Sequence, residues 1–105
     1  MENQMKINDH ENSLIKLKRL VVEYLTDEKV QVFLFGSRAR NDNANHSDVD
    51  IGYIPYGEFD RKKIVNLNER IENSTIPYKV EIVNFNEVSE DFKRAALKDA
   101  VIWKD

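Results

Sequence analysis

The stretch Val30-Gln31-Val32-Phe33-Leu34-Phe35-Gly36-Ser37, followed after ten further residues by Asp48-Val49-Asp50-Ile51-Gly52-Tyr53-Ile54, decides how this chain is read. VQVFLF is almost wholly apolar and rich in β-branched and aromatic side chains, the pattern of a strand covered on both faces. Gly36-Ser37 ends it, and Arg38-Ala39-Arg40 can open a short helix. Asn41–Ser47 (NDNANHS) is a polar loop of turn formers. DVDIGYI then alternates as a second strand, closed by Pro55-Tyr56-Gly57.

Working outward, Leu14, Leu17, Val21 and Leu25 recur at helical spacing and predict an amphipathic helix over Glu11–Thr26. Asn8 with Glu11 suits a loose capping pair at its start, and residues 1–10 are expected to fray. Asp60 is placed to cap a helix whose apolar stripe is Ile64, Leu67 and Ile71. After the Asn73–Pro77 connection, Tyr78–Phe85 (YKVEIVNF) reads as a third strand. Val88–Trp103 reads as a last helix, with Phe92, Ala95, Ala96 and Ala100 on its inner side. Phe33, Phe35 and Phe92 are expected in the core, while Tyr53, Tyr56 and Trp103 are expected to be partly buried at domain ends. The order α-β-(short α)-β-α-β-α predicts a layered α/β (α+β) fold with a small mixed sheet. Pattern alone leaves the strand order open.

Composition narrows the function classes. The 105 residues suit a single domain spanning 1–105, with one core but no deep, enclosed cavity. The absence of Cys excludes a disulfide framework, a thiolate zinc site and a thiol nucleophile. No apolar run approaches the roughly 20 residues of a membrane span, and the polar N-terminus has no signal-peptide core, so a soluble, cytoplasmic protein is expected. With 16 basic residues scattered among 19 acidic ones and a net charge of −3, direct nucleic-acid binding is not expected. Any phosphate chemistry must therefore be local.

The second strand carries the chemistry. Asp48 and Asp50 lie two apart, so both carboxylates leave the same face while Val49 and Ile51 take the other. Two carboxylates about 6 Å apart repel by roughly 3 kcal/mol at an effective dielectric near 20. A cation offsets that repulsion, and an all-oxygen donor pair suits Mg²⁺ or Mn²⁺ rather than zinc. Glu81 sits mid-strand between Val80 and Ile82, where β-propensity disfavours it. If its strand neighbours Asp48–Ile54, three acids can hold two metal ions. On the other side, Gly36 admits close backbone approach, Ser37 supplies a hydroxyl and an N–H, and Arg38 and Arg40 add positive charge. A phosphate cradle facing metal-holding acids is what phosphoryl or nucleotidyl transfer requires. His46 reads as a solvated loop residue, and Lys79 as an ion-pair partner on the face of Glu81.

Taken together, GSRARNDNANHSDVD resembles the Gly-Ser-x10-Asp-x-Asp motif of the DNA polymerase β-type nucleotidyltransferase superfamily, and the chain is similar to its minimal nucleotidyltransferases (MNT) over nearly its whole length. The resemblance implies that Asp48, Asp50 and Glu81 are the catalytic, metal-binding acids, with Gly36 and Ser37 on the triphosphate. Two positions depart from the pattern. Asn41 stands where Gly is common, and Asn tolerates positive φ; Glu81 stands where Asp is more frequent, its extra methylene altering metal geometry. The resemblance further implies the antitoxin half of a HEPN–MNT pair. Such a protein moves AMP from ATP to a hydroxyl, a Tyr, of an all-helical HEPN-type toxin encoded nearby, within a hetero-oligomer. The competing reading is a non-catalytic nucleotide- or metal-binding module that neutralises its helical partner by complex formation. Modification of a small molecule is the weaker enzymatic alternative, because no substrate domain is present.

Overall fold

The computed structural model describes residues 9–40 and 48–105. Among these, helix α1 (Asp9–Tyr24) leads into strand β1 (Val30–Phe35), a three-residue 3-10 turn (Gly36–Arg38) and strand β2 (Asp48–Pro55). Helix α2 (Lys62–Glu72), strand β3 (Lys79–Asn84), helix α3 (Glu90–Lys98) and strand β4 (Val101–Lys104) follow. The sheet order is β3-β2-β1-β4. β1 pairs antiparallel with both β2 and β4, whereas β2 and β3 run parallel, joined through α2. A parallel neighbour needs such a crossover, and α2 supplies it. The fold is therefore a mixed α+β sheet with helices, as the order of elements predicts.

Period-2 alternation divides the sheet into two unlike faces. Val32 and Leu34 of β1 and Val49 and Ile51 of β2 pack with Leu17 and Val21 of α1, Leu25 just after it, and Ile64, Leu67 and Ile71 of α2. These two helices cover the centre of one face, and burying each such side chain contributes about 1.5–3 kcal/mol before entropy is counted. The stripes forecast for both helices face this core, all of their residues buried except Leu14, which is partly so. Asp60 helps start α2, its carboxylate accepting from the Lys62 N–H at 2.9 Å.

On the opposite face Phe33, Phe35 and Phe85 form a second, aromatic core under α3. Phe33 meets Phe85 edge to face at 4.8 Å, and Phe35 meets it at 5.0 Å; such pairs add about 0.5–1.5 kcal/mol beyond area burial. Gly52 makes room for them: a Cβ there would stand 2.4 Å from the Phe33 ring. α3 has only nine residues and covers only part of this face.

Three expectations are corrected. The last helix does not run from Val88 to Trp103; it ends at Lys98, and Val101–Lys104 returns as β4 beside β1. Val101-Ile102-Trp103 is a β-branched and aromatic run, and sheet pairing overrides its helical spacing. Phe92 is not in the core but 44% exposed, standing in the first turn of the short helix α3. The first helix begins at Asp9, inside the stretch expected to fray. Asn8, Asn41 and His46 lie outside the described residues. Of the three aromatics expected to be partly buried, Trp103 is so, whereas Tyr53 is buried and Tyr56 exposed.

Candidate active site

Backbone register brings the acids together. Asp50 is the Cα partner of Phe35 at the end of β1 on one side and of Glu81 on β3 on the other. Asp48, two residues earlier, shares Asp50's face and pairs with Lys79. Parallel partners point the same way, so Asp48, Asp50 and Glu81 all emerge on the face that α3 leaves open. Asp48 and Glu81 are exposed; Asp50 is partly buried between them. Its carboxyl is pushed above the ordinary value of 3.8, first by burial and then by the charges of Glu81 and Asp48.

Gly36 packs against this carboxylate. Its φ of +80° lies in the left-handed region, and a Cβ there would sit 2.5 Å from Asp50 Oδ2. Both conformation and space demand glycine. Its carbonyl accepts from the N–H groups of Ala39 and Arg40, curling the chain into a short 3-10 turn. Ser37 reaches the site on this turn.

Two cavities meet at the acids. A small polar one of about 190 Å³ is lined by Ser37, Asp48, Asp50, Lys79 and Glu81. A larger one of about 600 Å³ takes in Gly36, Ser37, Arg40, Asp50 and Glu81 at one end and Val83, Phe92, Ala95 and Ala96 at the other. Ser37, Asp50 and Glu81 border both. The two arginines diverge: Arg40 lines the larger cavity, whereas the Arg38 guanidinium stacks 4.7 Å over the Tyr78 ring. Among the described residues, no three His, Cys, Asp or Glu side chains already stand close enough to hold a metal ion. The apolar wall from α3 was not foreseen as part of the site. Its signal was present in the sequence as Phe92, Ala95 and Ala96 on one helical face, which reads equally well as core.

A paired-acid strand beside a glycine-serine turn matches a known pattern, and comparison with known proteins decides its origin. The family model "Polymerase beta, Nucleotidyltransferase" matches residues 15–105. The chain belongs to this nucleotidyltransferase family. A curated relative, Probable protein adenylyltransferase MntA of Haemophilus influenzae, is 29% identical over 104 residues, covering 97% of this chain and 86% of that protein. A crystal structure of a toxin-antitoxin with AMP-PNP superposes with TM-score 0.63 at 19% identity, covering 82% of this chain and 71% of the other. The tri-AMPylated Shewanella oneidensis HEPN toxin in complex with MNT antitoxin provides a match with TM-score 0.58 at 19% identity, covering 83% and 68%. At these identities the structural matches speak for the nucleotidyltransferase fold. Among the described residues, no helix is long and apolar enough to cross a membrane.

Proposed function

We propose that this chain is a protein adenylyltransferase that moves AMP from ATP to a tyrosine hydroxyl of a HEPN-type toxin and so acts as its antitoxin. The observation that carries the proposal is the register of Asp50. Pairing with both Phe35 and Glu81 joins the Gly36-Ser37 turn and the acids in one open site. The MntA relative and the AMP-PNP and AMPylated toxin–antitoxin structures support adenylyl transfer and a HEPN partner.

The donor set of Asp48, Asp50 and Glu81 fits a hard divalent ion, Mg²⁺ first and Mn²⁺ second, because it is all oxygen and Asp50 is already penalised for its own charge. The exposed Asp48 and Glu81 can rotate inward to complete the set. Bound there, two such ions would supply charge neutralisation at the transferring phosphate and polarisation of the attacking hydroxyl. Gly36, Ser37 and Arg40 hold the triphosphate with its α-phosphorus over Asp50. The tyrosine oxygen attacks in line and its proton passes to a carboxylate of the site. The bond from the α-phosphorus to the bridging oxygen breaks, and pyrophosphate leaves. With the acid face open and no acceptor-binding lobe in the described chain, the partner must present its own hydroxyl, since orientation supplies much of the rate.

The test is incubation of the protein with α-labelled ATP, Mg²⁺ and the helical product of the neighbouring gene, beside the Asp48→Ala/Asp50→Ala variant. Label on the toxin that disappears with the variant supports transfer. Equal neutralisation by the variant, with no label moved, overturns it in favour of a binding module.

A further inference from the structure

The apolar end of the larger cavity has no role in phosphate or metal chemistry, yet it is continuous with the end that does. Val83, Phe92, Ala95 and Ala96 form it, and none of these side chains donates or accepts a hydrogen bond. Phe92 is fixed rather than loose. Its ring lies edge to face with Phe35 at 6.0 Å and tilted against Phe85 at 5.7 Å. Its backbone N–H donates to Ser89 Oγ at 3.1 Å, which anchors the first turn of α3. A ring so held and still 44% exposed is a preformed platform. The two alanines beside it leave space that larger residues would fill. A ligand bridging the two ends of this cavity has a polyanionic tail and a flat apolar head, which describes a nucleotide. About 600 Å³ is within the usual range for a small-molecule site. The smaller cavity beyond the acids has no aromatic wall.

We infer that Phe92 is the stacking platform for the nucleobase of the donor triphosphate, and that the subsite ranks bases by stacking area, purines over pyrimidines, with little distinction between adenine and guanine. This rests on the nucleotidyl-transfer reading and deepens it. Among the described residues, Val83, Phe92, Ala95 and Ala96 at this end offer no group to read a base edge, and sequence-tolerant stacking is the expected behaviour of such an aromatic platform, since every base has a π-face.

The experiment measures equilibrium binding of ATP, GTP, CTP and inorganic tripolyphosphate, each with Mg²⁺, to the wild type, Phe92→Leu and Phe92→Trp. Leucine keeps apolar volume against Phe35 and Phe85 while removing the ring, and thermal denaturation checks that the fold survives. The expected result is ATP and GTP binding within a few-fold of each other, both about tenfold weaker in Phe92→Leu and restored in Phe92→Trp. CTP should bind more weakly, and tripolyphosphate affinity should be unchanged throughout. ATP binding insensitive to Phe92→Leu, or a matching loss of tripolyphosphate affinity, overturns the subsite. So does an unchanged ATP affinity with a raised KM for the toxin, which would put the ring against the acceptor. Failure of every triphosphate and of tripolyphosphate to bind would instead count against nucleotidyl transfer itself.

Discussion

Replacing Gly36 with alanine tests the site at its tightest point. The residue sits at φ +80°, where an alanine pays about 1–2 kcal/mol for the left-handed conformation. Its Cβ would also stand 2.5 Å from Asp50 Oδ2 and 3.3 Å from Asp50 Cγ, so either the turn or the carboxylate must move. Together these predict a loss of about 1–3 kcal/mol, read as a drop in Tm of roughly 4–8 °C per kcal/mol for a domain of this size. The catalytic loss should be larger than the stability loss, because displacing a reacting group by about 1 Å costs on the order of 100-fold in rate. Circular dichroism melting and label transfer to the toxin measure the two effects separately. A double-mutant cycle separates the causes. In an Asp50→Ala background the nearest atoms are gone and only Cβ remains, at 3.4 Å. There Gly36→Ala should cost less, leaving only the conformational part. An unchanged Tm and transfer rate in Gly36→Ala, or an identical stability cost in both backgrounds, would refute the contact as the cause.

Three further outcomes are expected. Asp50→Asn should abolish transfer yet stabilise the fold at pH 7. Because the native carboxyl is raised above 3.8, Asp50 favours folding below that value and loses the contribution as pH rises through its native pKa, so the variant's advantage should vanish in melts near pH 4. Arg40→Ala should raise the KM for ATP, whereas Arg38→Ala should lower stability by about 0.5–1 kcal/mol through its lost stacking on Tyr78; kinetics and melting on both variants distinguish them. Lys104→Met should destabilise by about 1–2 kcal/mol in urea titrations, since its ammonium donates to the Glu28 and Val30 carbonyls.

Most of the architecture follows from local rules, and the exceptions have a common cause. α1 and α2 bury the forecast stripes because one side of each meets a flat apolar sheet. Glu81 was legible as an unfavourable glutamate inside a β-branched run, a local conflict of the kind that functional sites keep, while its pairing with Asp50 came only from the structure. Strand order was not legible, since it depends on the α2 crossover and on long-range pairing rather than on any window of sequence. β4 was missed for the same reason. Alanine and leucine in Ala95–Leu97 extend a helical pattern into residues 101–104, and only an unpaired edge of β1 makes those residues a strand. Arg38 and Arg40 are indistinguishable as sequence, and only the tight turn sends one over Tyr78 and the other into the cavity.

β4 also has a consequence for how the protein is made. Its pairing of Val32 with Lys104 and of Leu34 with Val101 joins positions about seventy residues apart. The strand carrying the Gly36 bend therefore keeps one bare flank until synthesis has passed Lys104. Contacts that distant delay closure of the native topology and prolong exposure of sticky intermediates. The nascent chain should thus stay open along that flank of the sheet, and close it only once Val101–Lys104 has emerged from the ribosome.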